Sequence, residues 1–330
     1  MKFSIIVPIY NRPGEAFELL TSLSNQTYTD FELVLVEDGS NKPCDQEVAH
    51  FRTSFSINYI VKENTGRSDS RNIGIAHAKG DYFLFFDSDC ILPSCYLENV
   101  NNKLFDDYVD CFGGPDKEQS SFSPMQKAIN YAMTSFWTTG GIRGGKVNSE
   151  RFEPRSFNMG FSRKVYETVG GFKNMYGEDI ELSNRIRHAG FSMKLIPEAY
   201  VFHKRRVNIK KFYKQVSIFG QARVNIYLLH PGSLRIVHTL PTLAVLAGFI
   251  ILILAVFVSP WFLCLPAAYL LLLFADSLFK TKSVSIASLS LLAAIIQVAG
   301  YGMGFFQSFV KKIIFHQGLE EWDVIKKNYK

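Results

Sequence analysis

The first two thirds of the chain alternates between two hydrophobic patterns. Four short runs are continuously apolar and predict strands that are buried on both faces: "KFSIIVPIY", "FELVLVED", "INYIVKEN" and "DYFLFFDSD". Between them, "GEAFELLTSLSNQ" and "SDSRNIGIAHAKG" have helical spacing, the second with Gly80 as its C-cap. This alternation of strands and helices predicts an α/β fold with a mostly parallel central sheet.

The last third of the chain has a different pattern. Three long apolar stretches cover residues 236–258, 261–279 and 284–310. Each approaches or exceeds the ~20 apolar residues that a helix needs to cross a bilayer. Buried helices of a soluble domain are the alternative interpretation. Because the three stretches follow one another with only short polar breaks, the pattern favours about three transmembrane segments.

A basic segment, residues 205–230, precedes the apolar stretches and predicts a helix at the membrane interface, or a soluble helix that closes the first domain. By the positive-inside rule, it keeps the first domain in the cytoplasm, on a multi-pass inner membrane protein. Three full crossings would export a basic tail, residues 311–330, so a re-entrant stretch remains an alternative. The tail lysines are Lys311, Lys312, Lys326, Lys327 and Lys330.

Composition changes this picture only slightly. The 330 residues carry a formal net charge of +6, which is too mild to indicate nucleic acid binding but fits an anionic substrate or a membrane surface. The five cysteines have no metal-binding or disulfide spacing, which favours a reducing compartment. The apolar run near the N-terminus is short and interrupted by Pro8, so we expect it to belong to the fold and not to a signal peptide.

The ends of the predicted strands carry the candidate chemistry, because ligands of parallel α/β sheets bind beyond the carboxyl ends of the strands. Asp87 and Asp89 directly follow the apolar run "YFLFF". Two unpaired carboxylates at this position would be costly. Mg²⁺ binds one or two carboxylates together with substrate phosphates, so the pair predicts a metal site for a diphosphate. A turn or a helix cap is the alternative.

Other strand ends add candidates for binding a nucleotide. Tyr10 follows the first strand and can stack on a base. Glu37 or Asp38 can accept hydrogen bonds from a base or a ribose hydroxyl, although a turn also explains them. Arg67 and Arg71 can reach a phosphate or a base, or can belong to a solvated helix face.

Four motifs together resemble those of the family 2 glycosyltransferases, which have the GT-A (nucleotide-diphospho-sugar transferase) fold. They are "SIIVPIYNRP", "VEDGS", "NTGRSDSRNIGIAHAKGDYFLFFDSDC" and "GGF…YGEDIELSNRIRHAGF", and the resemblance covers about the first 225 residues. It implies a nucleotide-diphosphate sugar donor, Mg²⁺ or Mn²⁺ on its diphosphate, and inversion at the anomeric carbon. The implied nucleotide contacts are Pro8, Tyr10, Asn11, Asp38, Arg71 and Asp87.

The same resemblance implies the metal ligands and the catalytic base. Asp87, Asp89 and His203 would hold the metal, and imidazole suits Mn²⁺. Glu178 and Asp179 begin a predicted helix, where acids are also favoured by the helix dipole. An inverting transfer needs one base to deprotonate the acceptor hydroxyl. The resemblance implies Asp179 as that base, with Glu178 as its neighbour at the acceptor.

One departure concerns processive synthases of the family, which carry Q-x-x-R-W after the acidic motif. Here "FGQARVNIY" contains Gln221 and Arg223 without that spacing or the tryptophan, which weakens a processive interpretation. The stretch "FGQARVNIYLLHPGSLRIVHTLPTLAVLAGF" is instead similar to succinoglycan-type exopolysaccharide glycosyltransferases. That similarity implies transfer of single sugars to polyprenyl-diphosphate-linked intermediates at the inner face of the membrane.

The sequence therefore predicts a GT-A domain over residues 1–230, a membrane region over residues 236–310 and a basic tail. The expected function is inverting transfer of a sugar to a lipid-linked glycan, without a role for nucleic acid. Two alternatives remain: a polyprenyl-phosphate glycosyltransferase of the dolichol-phosphate-mannose-synthase type, and a non-catalytic membrane scaffold. The donor sugar, base and linkage depend on pocket loops, such as residues 138–154, that the sequence does not resolve.

Overall fold

The structure is a computed structural model, and it describes residues 1–117, 122–139, 152–204 and 208–318. The chain forms two compact units. The first, the sheet unit, contains Met1–Gln119 and Asn148–Lys204, and the second, the helical unit, contains Ser120–Val147 and Arg205–Lys330. The sequence predicts that residues 120–147 and 205–230 belong to the N-terminal domain. The structure instead groups both segments with the apolar helices.

The sheet unit is built on a seven-stranded sheet in the order β3-β2-β1-β4-β8-β6-β9. Strand β8 runs antiparallel to both of its neighbours, and every other adjacent pair in this sheet is parallel, as the alternating pattern predicted. A second sheet has the order β5-β10-β7. The strands are β1 (Phe3–Ile9), β2 (Phe31–Asp38), β3 (Ser56–Lys62), β4 (Tyr82–Phe86), β5 (Cys90–Ile91), β6 (Cys111–Gly113), β7 (Asp116–Lys117), β8 (Asn158–Ser162), β9 (Met193–Leu195) and β10 (Val201–His203).

Helices cover both faces of the main sheet. In the sheet unit they are α1 (Pro13–Ser24), α2 (Asp45–Phe51), α3 (Arg67–His77), α4 (Tyr96–Asp106), α7 (Arg163–Val169) and α8 (Glu178–His188). Helix α3 ends at His77, so Gly80 is not its C-cap as predicted. A Cβ at Gly80 would lie 2.6 Å from the carbonyl oxygen of Lys2. The glycine therefore serves the close approach of the chain to β1, and not the end of a helix.

The core explains why the central strands are continuously apolar. All five residues of β4 are buried, and they divide between two hydrophobic clusters on opposite faces of the sheet. Leu84 and Phe86 pack in the cluster that contains α1 and α4, whereas Phe83 and Phe85 pack in the one that contains α8. A strand between two helical layers has no polar face, so its apolar run ends only where the strand leaves the sheet.

The helical unit contains α5 (Pro124–Thr134), α6 (Phe136–Thr139), α9 (Ile209–Leu229), α10 (Leu240–Phe257), α11 (Cys264–Thr281) and α12 (Val284–Phe309). Three helical segments are long and apolar enough to cross a membrane: Leu240–Phe257, Pro260–Thr281 and Val284–Ile314. They match the three predicted apolar stretches. Helix α10 begins four residues later than that stretch, with Pro241 in its first turn, where the missing N–H has no cost.

Candidate active site

The ends of β1 and β2 are joined by Asn11. Its backbone has a φ of 55°, in the left-handed region that asparagine tolerates better than most residues. The Asn11 side-chain oxygen accepts hydrogen bonds from the backbone N–H of Asn41 (2.8 Å) and Lys42 (3.0 Å). This contact leaves Tyr10 at the rim with 47% of its surface exposed, available to stack on a ligand. Pro8 lies one step back in β1, half-buried.

Asp38 ends β2 and holds the loop that follows β3. Its carboxylate accepts hydrogen bonds from the backbone N–H of Thr65 (3.0 Å) and Gly66 (3.0 Å), and it pairs with Lys62. The alternative acceptor, Glu37, is buried and binds the Tyr59 hydroxyl (2.9 Å) and a backbone N–H of α2's cap. Of the two acids, Asp38 is therefore the one at the edge of the sheet where the strand ends meet.

Arg71 links the end of β4 to the beginning of α8. Its side chain is completely buried, and its two terminal nitrogens donate to Asp87 (2.7 Å) and Glu178 (3.0 Å). The guanidinium carbon lies 5.3 Å from the centre of the Phe172 ring. A second arginine, Arg67, donates to the other oxygen of Glu178 at 3.0 Å. The resemblance implied Arg71 at the nucleotide, but its guanidinium is enclosed, and Asp87, about one third exposed, is the group at the surface there.

A possible metal site lies where β5 and β10 pair. His203 is the register partner of Cys90, and this pairing brings the imidazole beside the carboxylate of Asp89. The Nε2 atom of His203 lies 3.1 Å from an Asp89 oxygen. Ligand atoms of Asp89, Cys90 and His203 all lie within 4.8 Å of one another. Arg12 approaches the other oxygen of Asp89 at 3.3 Å.

The donor set fits Mg²⁺ or Mn²⁺. Carboxylate oxygen and imidazole nitrogen both ligate Mn²⁺, and carboxylate suits Mg²⁺. Burial raises the pKa of the Cys90 thiol, and the carboxylates of Asp89 and Asp87 raise it further, so the thiol stays neutral. In the described residues, the group of close ligand atoms does not include Asp87, whose carboxylate binds Arg71. Asp89 and His203 are therefore the pair arranged for a cation.

Glu178 and Asp179 begin α8 but have different surroundings. Glu178 is enclosed by the two arginines, with 1% of its side chain exposed. Asp179 is 16% exposed and forms an ion pair with Arg155, at 3.7 Å. One Asp179 oxygen accepts a hydrogen bond from the N–H of Ile180 at 2.8 Å, which fixes the carboxylate at the helix start. Asp179 is thus the acid of this pair that a ligand can reach.

Asn158 and Met159 begin β8, opposite the end of β4. Both side chains are buried. The Asn158 amide donates to the carbonyl of Ala199 (2.8 Å) and accepts from the Tyr96 hydroxyl (2.6 Å), so it joins core elements. Residues 140–151 of the predicted pocket loop lie outside the described residues. Arg155 was not predicted, and no motif in the sequence pointed to it.

The comparison with known proteins assigns a family to this fold. The sequence profile of Glycosyl transferase family 2 matches residues 4–170, about half of the chain. The chain belongs to this family and is a glycosyltransferase. It is 26% identical over 254 residues to glycosyltransferase AglE of Haloferax volcanii, covering 75% of this chain and 81% of that protein.

A shorter match is 34% identical over 176 residues to glycosyltransferase GlyA of Streptococcus pneumoniae. It covers 53% of this chain and 22% of that protein's length. Among solved structures, the mannosyltransferase PcManGT from Pyrobaculum calidifontis, in complex with GDP-Man and Mn²⁺, has a TM-score of 0.60 at 19% identity, covering 90% of this chain and 87% of its own. Residues 1–349 of Staphylococcus aureus TarS give a TM-score of 0.50 at 17% identity, covering 96% and 92%. These similarities establish the GT-A fold.

Proposed function

We propose that the protein is a membrane-bound, inverting glycosyltransferase. It moves a sugar from a nucleotide-diphosphate donor to a hydroxyl of a polyprenyl-diphosphate-linked glycan. The observation that carries this proposal is the chain of contacts from Asp87 through Arg71 to Glu178. These contacts fix the start of α8, which carries Asp179, beside the end of β4. Asp89 lies two residues after Asp87 at that end.

The donor binds across the ends of β1, β2 and β4. Pro8, Tyr10 and Asn11 border the base, and Asp38 accepts from the nucleoside. Asp87 faces the ribose or the metal, held by Arg71. Because Arg71 is buried between two carboxylates, it positions Asp87 and does not itself contact the donor.

Mg²⁺ or Mn²⁺ would be held by Asp89 and His203, with Asp87, two residues earlier in the chain, as a further carboxylate. When bound, the cation neutralises the charge that develops on the leaving diphosphate. The solved complex of PcManGT contains GDP-Man and Mn²⁺, which supports a metal-dependent donor site in this fold.

The transfer needs one proton acceptor. The carboxylate of Asp179 takes the proton of the acceptor hydroxyl as its oxygen attacks the anomeric carbon. The bond between that carbon and the diphosphate oxygen breaks, and the nucleoside diphosphate leaves with the bonding electron pair. Attack opposite the leaving group inverts the configuration. Glu178, held by Arg67 and Arg71, fixes the helix start beside the acceptor.

The helical unit supports a lipid-linked acceptor. Helices α10 and α11 bury few of their residues and are strongly apolar, as expected of surfaces that contact lipid. The basic residues at the start of α9 favour the cytoplasmic side of the inner membrane for the sheet unit. A lipid-linked glycan in the same membrane would present its terminal hydroxyl to the site.

The test uses membranes that contain the full chain, incubated with a set of nucleotide-diphosphate sugars and lipid-linked acceptors. We expect release of nucleoside diphosphate and growth of the lipid-linked glycan, with loss of both in Asp89→Asn and Asp179→Asn. Asp107→Asn, on the surface beside Lys194, is the matched control. Near wild-type transfer by both site variants would overturn the proposal.

The same assay separates the alternatives. Transfer to bare polyprenyl phosphate in preference to the glycan-diphosphate lipid would identify a polyprenyl-phosphate glycosyltransferase. A wild-type chain that binds no nucleotide sugar in the presence of Mn²⁺ would be the result expected of a scaffold.

A further inference from the structure

Helices α9 and α12 pack side by side and run in the same direction. A Cβ at Gly304 would lie 2.2 Å from the carbonyl oxygen of Ser217, so the two backbones are in direct contact there. Two turns further along both helices, Lys312 donates to the side-chain oxygen of Asn225 at 2.7 Å. Close approach through glycines is typical of helices that pack within or against a membrane. The second half of α12 therefore accompanies α9 along its length.

The first turn of α10 meets α12 in the same region. The Thr242 hydroxyl donates to the carbonyl oxygen of Gly302 at 3.0 Å. A Cβ at Gly302 would lie 2.7 Å from the carbonyl oxygen of Pro241. The start of α10 and the second half of α12 are thus at the same depth relative to any membrane.

This contact is incompatible with three successive crossings. If α10, α11 and α12 each crossed, α10 and α12 would begin on one side, and α12 would end on the other. From Val284 to Gly302 the helix advances about 27 Å, close to the ~30 Å of bilayer hydrocarbon. Gly302 would then lie across the membrane from Thr242, to which it is hydrogen-bonded. The number of crossings must be even.

Contacts of α5 indicate which helix does not cross. The hydroxyl of Tyr131 in α5 donates to Asp276 near the end of α11, at 2.7 Å. Ile129 of α5 packs in one hydrophobic cluster with Ala293 and Ala294, in the middle of α12. Because the chain on both sides of α5 belongs to the sheet unit, α5 lies on the same side of the membrane as that unit. The end of α11 and the middle of α12 lie on that side with it.

The surface of α12 has the form of a helix that lies in the plane of the interface. Its exposed large apolar residues in this region are Leu292, Ile295, Met303 and Phe306, which recur at helical spacing on one face. Other parts of its circumference are covered by α5, α9 and α10. The first two turns of α9 carry three exposed lysines, Lys210, Lys211 and Lys214.

We propose that α12 lies in the headgroup layer beside α9, on the side of the sheet unit, and that only α10 and α11 cross the bilayer. The apolar face of α12 contacts the acyl boundary, and the lysines of α9 contact anionic headgroups. Trp261, which is 80% exposed in the turn between α10 and α11, lies at the far interface. Lys311 and Lys312 are then on the same side as basic α9, as the positive-inside rule requires.

The test is the sidedness of single introduced cysteines in the full chain, with exposed Cys264 replaced by serine and the other four native cysteines kept. The positions are Ser54→Cys as a marker of the sheet unit, Ser259→Cys between α10 and α11, Ser285→Cys at the start of α12, and Gln317→Cys beyond its end. Spheroplasts and inverted vesicles are treated with a membrane-impermeant maleimide. Labelled cysteines are identified by peptide mass spectrometry and normalised to labelling after denaturation.

We expect Ser259→Cys to react from outside in spheroplasts, and the other three positions to react only in inverted vesicles. Labelling of Gln317→Cys on the face opposite Ser54→Cys would overturn the even number of crossings. Labelling of Ser285→Cys on that opposite face would show that α12 crosses, and would overturn its place in the interface. Labelling of Ser259→Cys on the Ser54→Cys face would overturn the crossing by α10 and α11. None of these results depends on transfer activity, so they stand apart from the proposed function.

Discussion

Arg71 and Glu178 form an ion pair from which solvent is excluded on both sides. The arginine is 0% exposed, the glutamate is 1% exposed, and their charged atoms are 3.0 Å apart. The same guanidinium holds Asp87 at 2.7 Å, so one buried cation connects the acid after β4 with the start of α8. If Arg71 or Glu178 moved, both Asp87 after β4 and the start of α8 would be expected to shift.

Removal of one partner of this pair should be more damaging than removal of both. In Arg71→Gln, Glu178 keeps Arg67 but loses its fully buried partner, so we expect a loss below the about 3–5 kcal/mol that a buried charge with no partner costs. In the double variant Arg71→Gln with Glu178→Gln, that charge is gone, so we expect part of the loss to be recovered. Chemical denaturation of the detergent-solubilised chain measures the difference. A double variant whose loss equals the sum of the single losses would contradict the direct coupling of the two residues.

Asp179 should act on the chemical step and not on donor binding. Asp179→Asn keeps the side-chain oxygen that accepts from the Ile180 N–H, but it removes the proton acceptor. We expect kcat to fall by about 10²–10⁴, with the dissociation constant for the nucleotide sugar within a factor of about two. Single-turnover transfer and calorimetry measure the two quantities separately. A variant that loses donor affinity but keeps kcat would instead assign Asp179 to the donor site.

The contact of α9 with α12 predicts a strong difference between two glycines in helices. Gly304→Ala places a Cβ against the backbone of Ser217, and overpacking of this kind costs about 1–3 kcal/mol. Gly248→Ala, in α10, meets nothing within 4 Å and gains helix propensity. Thermal unfolding in detergent should therefore separate the two variants. Equal melting temperatures would contradict the close packing of α9 on α12.

Buried thiols predict a loss of stability at alkaline pH. Burial raises the pKa of the Cys111 thiol, and the nearby Asp110 carboxylate adds to this effect. Below the unfolded thiol pKa of about 8.5, both states hold the proton and pH has no effect through this group. Above it only the unfolded chain loses the proton, so the free energy of unfolding falls, by up to about 1.4 kcal/mol per pH unit for each such thiol.

Denaturation series at pH 8 and pH 9.5 check this sign. The wild-type chain should lose stability between the two values. Cys111→Ala should be less stable at both, because a buried side chain is shortened, but should lose less between them. An unchanged pH dependence in Cys111→Ala would show that this thiol is not among the groups responsible.

The strands and the strand-end acids could be predicted because each depends on local pattern. A continuously apolar run such as that of β4 indicates a strand buried on both faces. Because the carboxyl ends of parallel strands meet at one edge of the sheet, Asp38 and Asp87 are expected there. The enclosure of Arg71 could not be predicted in this way. The burial of Arg71 depends on how α3, α8 and β4 pack. The sequence of α3 alone was equally consistent with Arg71 on a solvent-exposed face of the helix.

The division of the chain into units was also beyond the sequence. Helix α5 follows β7 closely and looks like a further helix of the first domain. Its place in the helical unit is decided by tertiary contacts, such as those of Tyr131 with Asp276 and of Ile129 with the middle of α12. Likewise, three apolar stretches of sufficient length predicted three membrane crossings. The hydrogen bond between Thr242 and Gly302, on which our proposal of two crossings rests, is a tertiary contact that the sequence does not show.

The pairing of Asp89 with His203 leads to the most direct test of the proposed function. Binding of nucleoside diphosphate to the full chain is measured by calorimetry with Mn²⁺ and after chelation, in the wild type and in Asp89→Asn. We predict that chelation weakens binding to the wild type by at least about tenfold, equivalent to ~1.4 kcal/mol. In Asp89→Asn, binding should be weak and should no longer respond to Mn²⁺. Wild-type binding of the nucleotide that is unchanged by chelation would contradict the metal site and the metal-dependent transfer built on it.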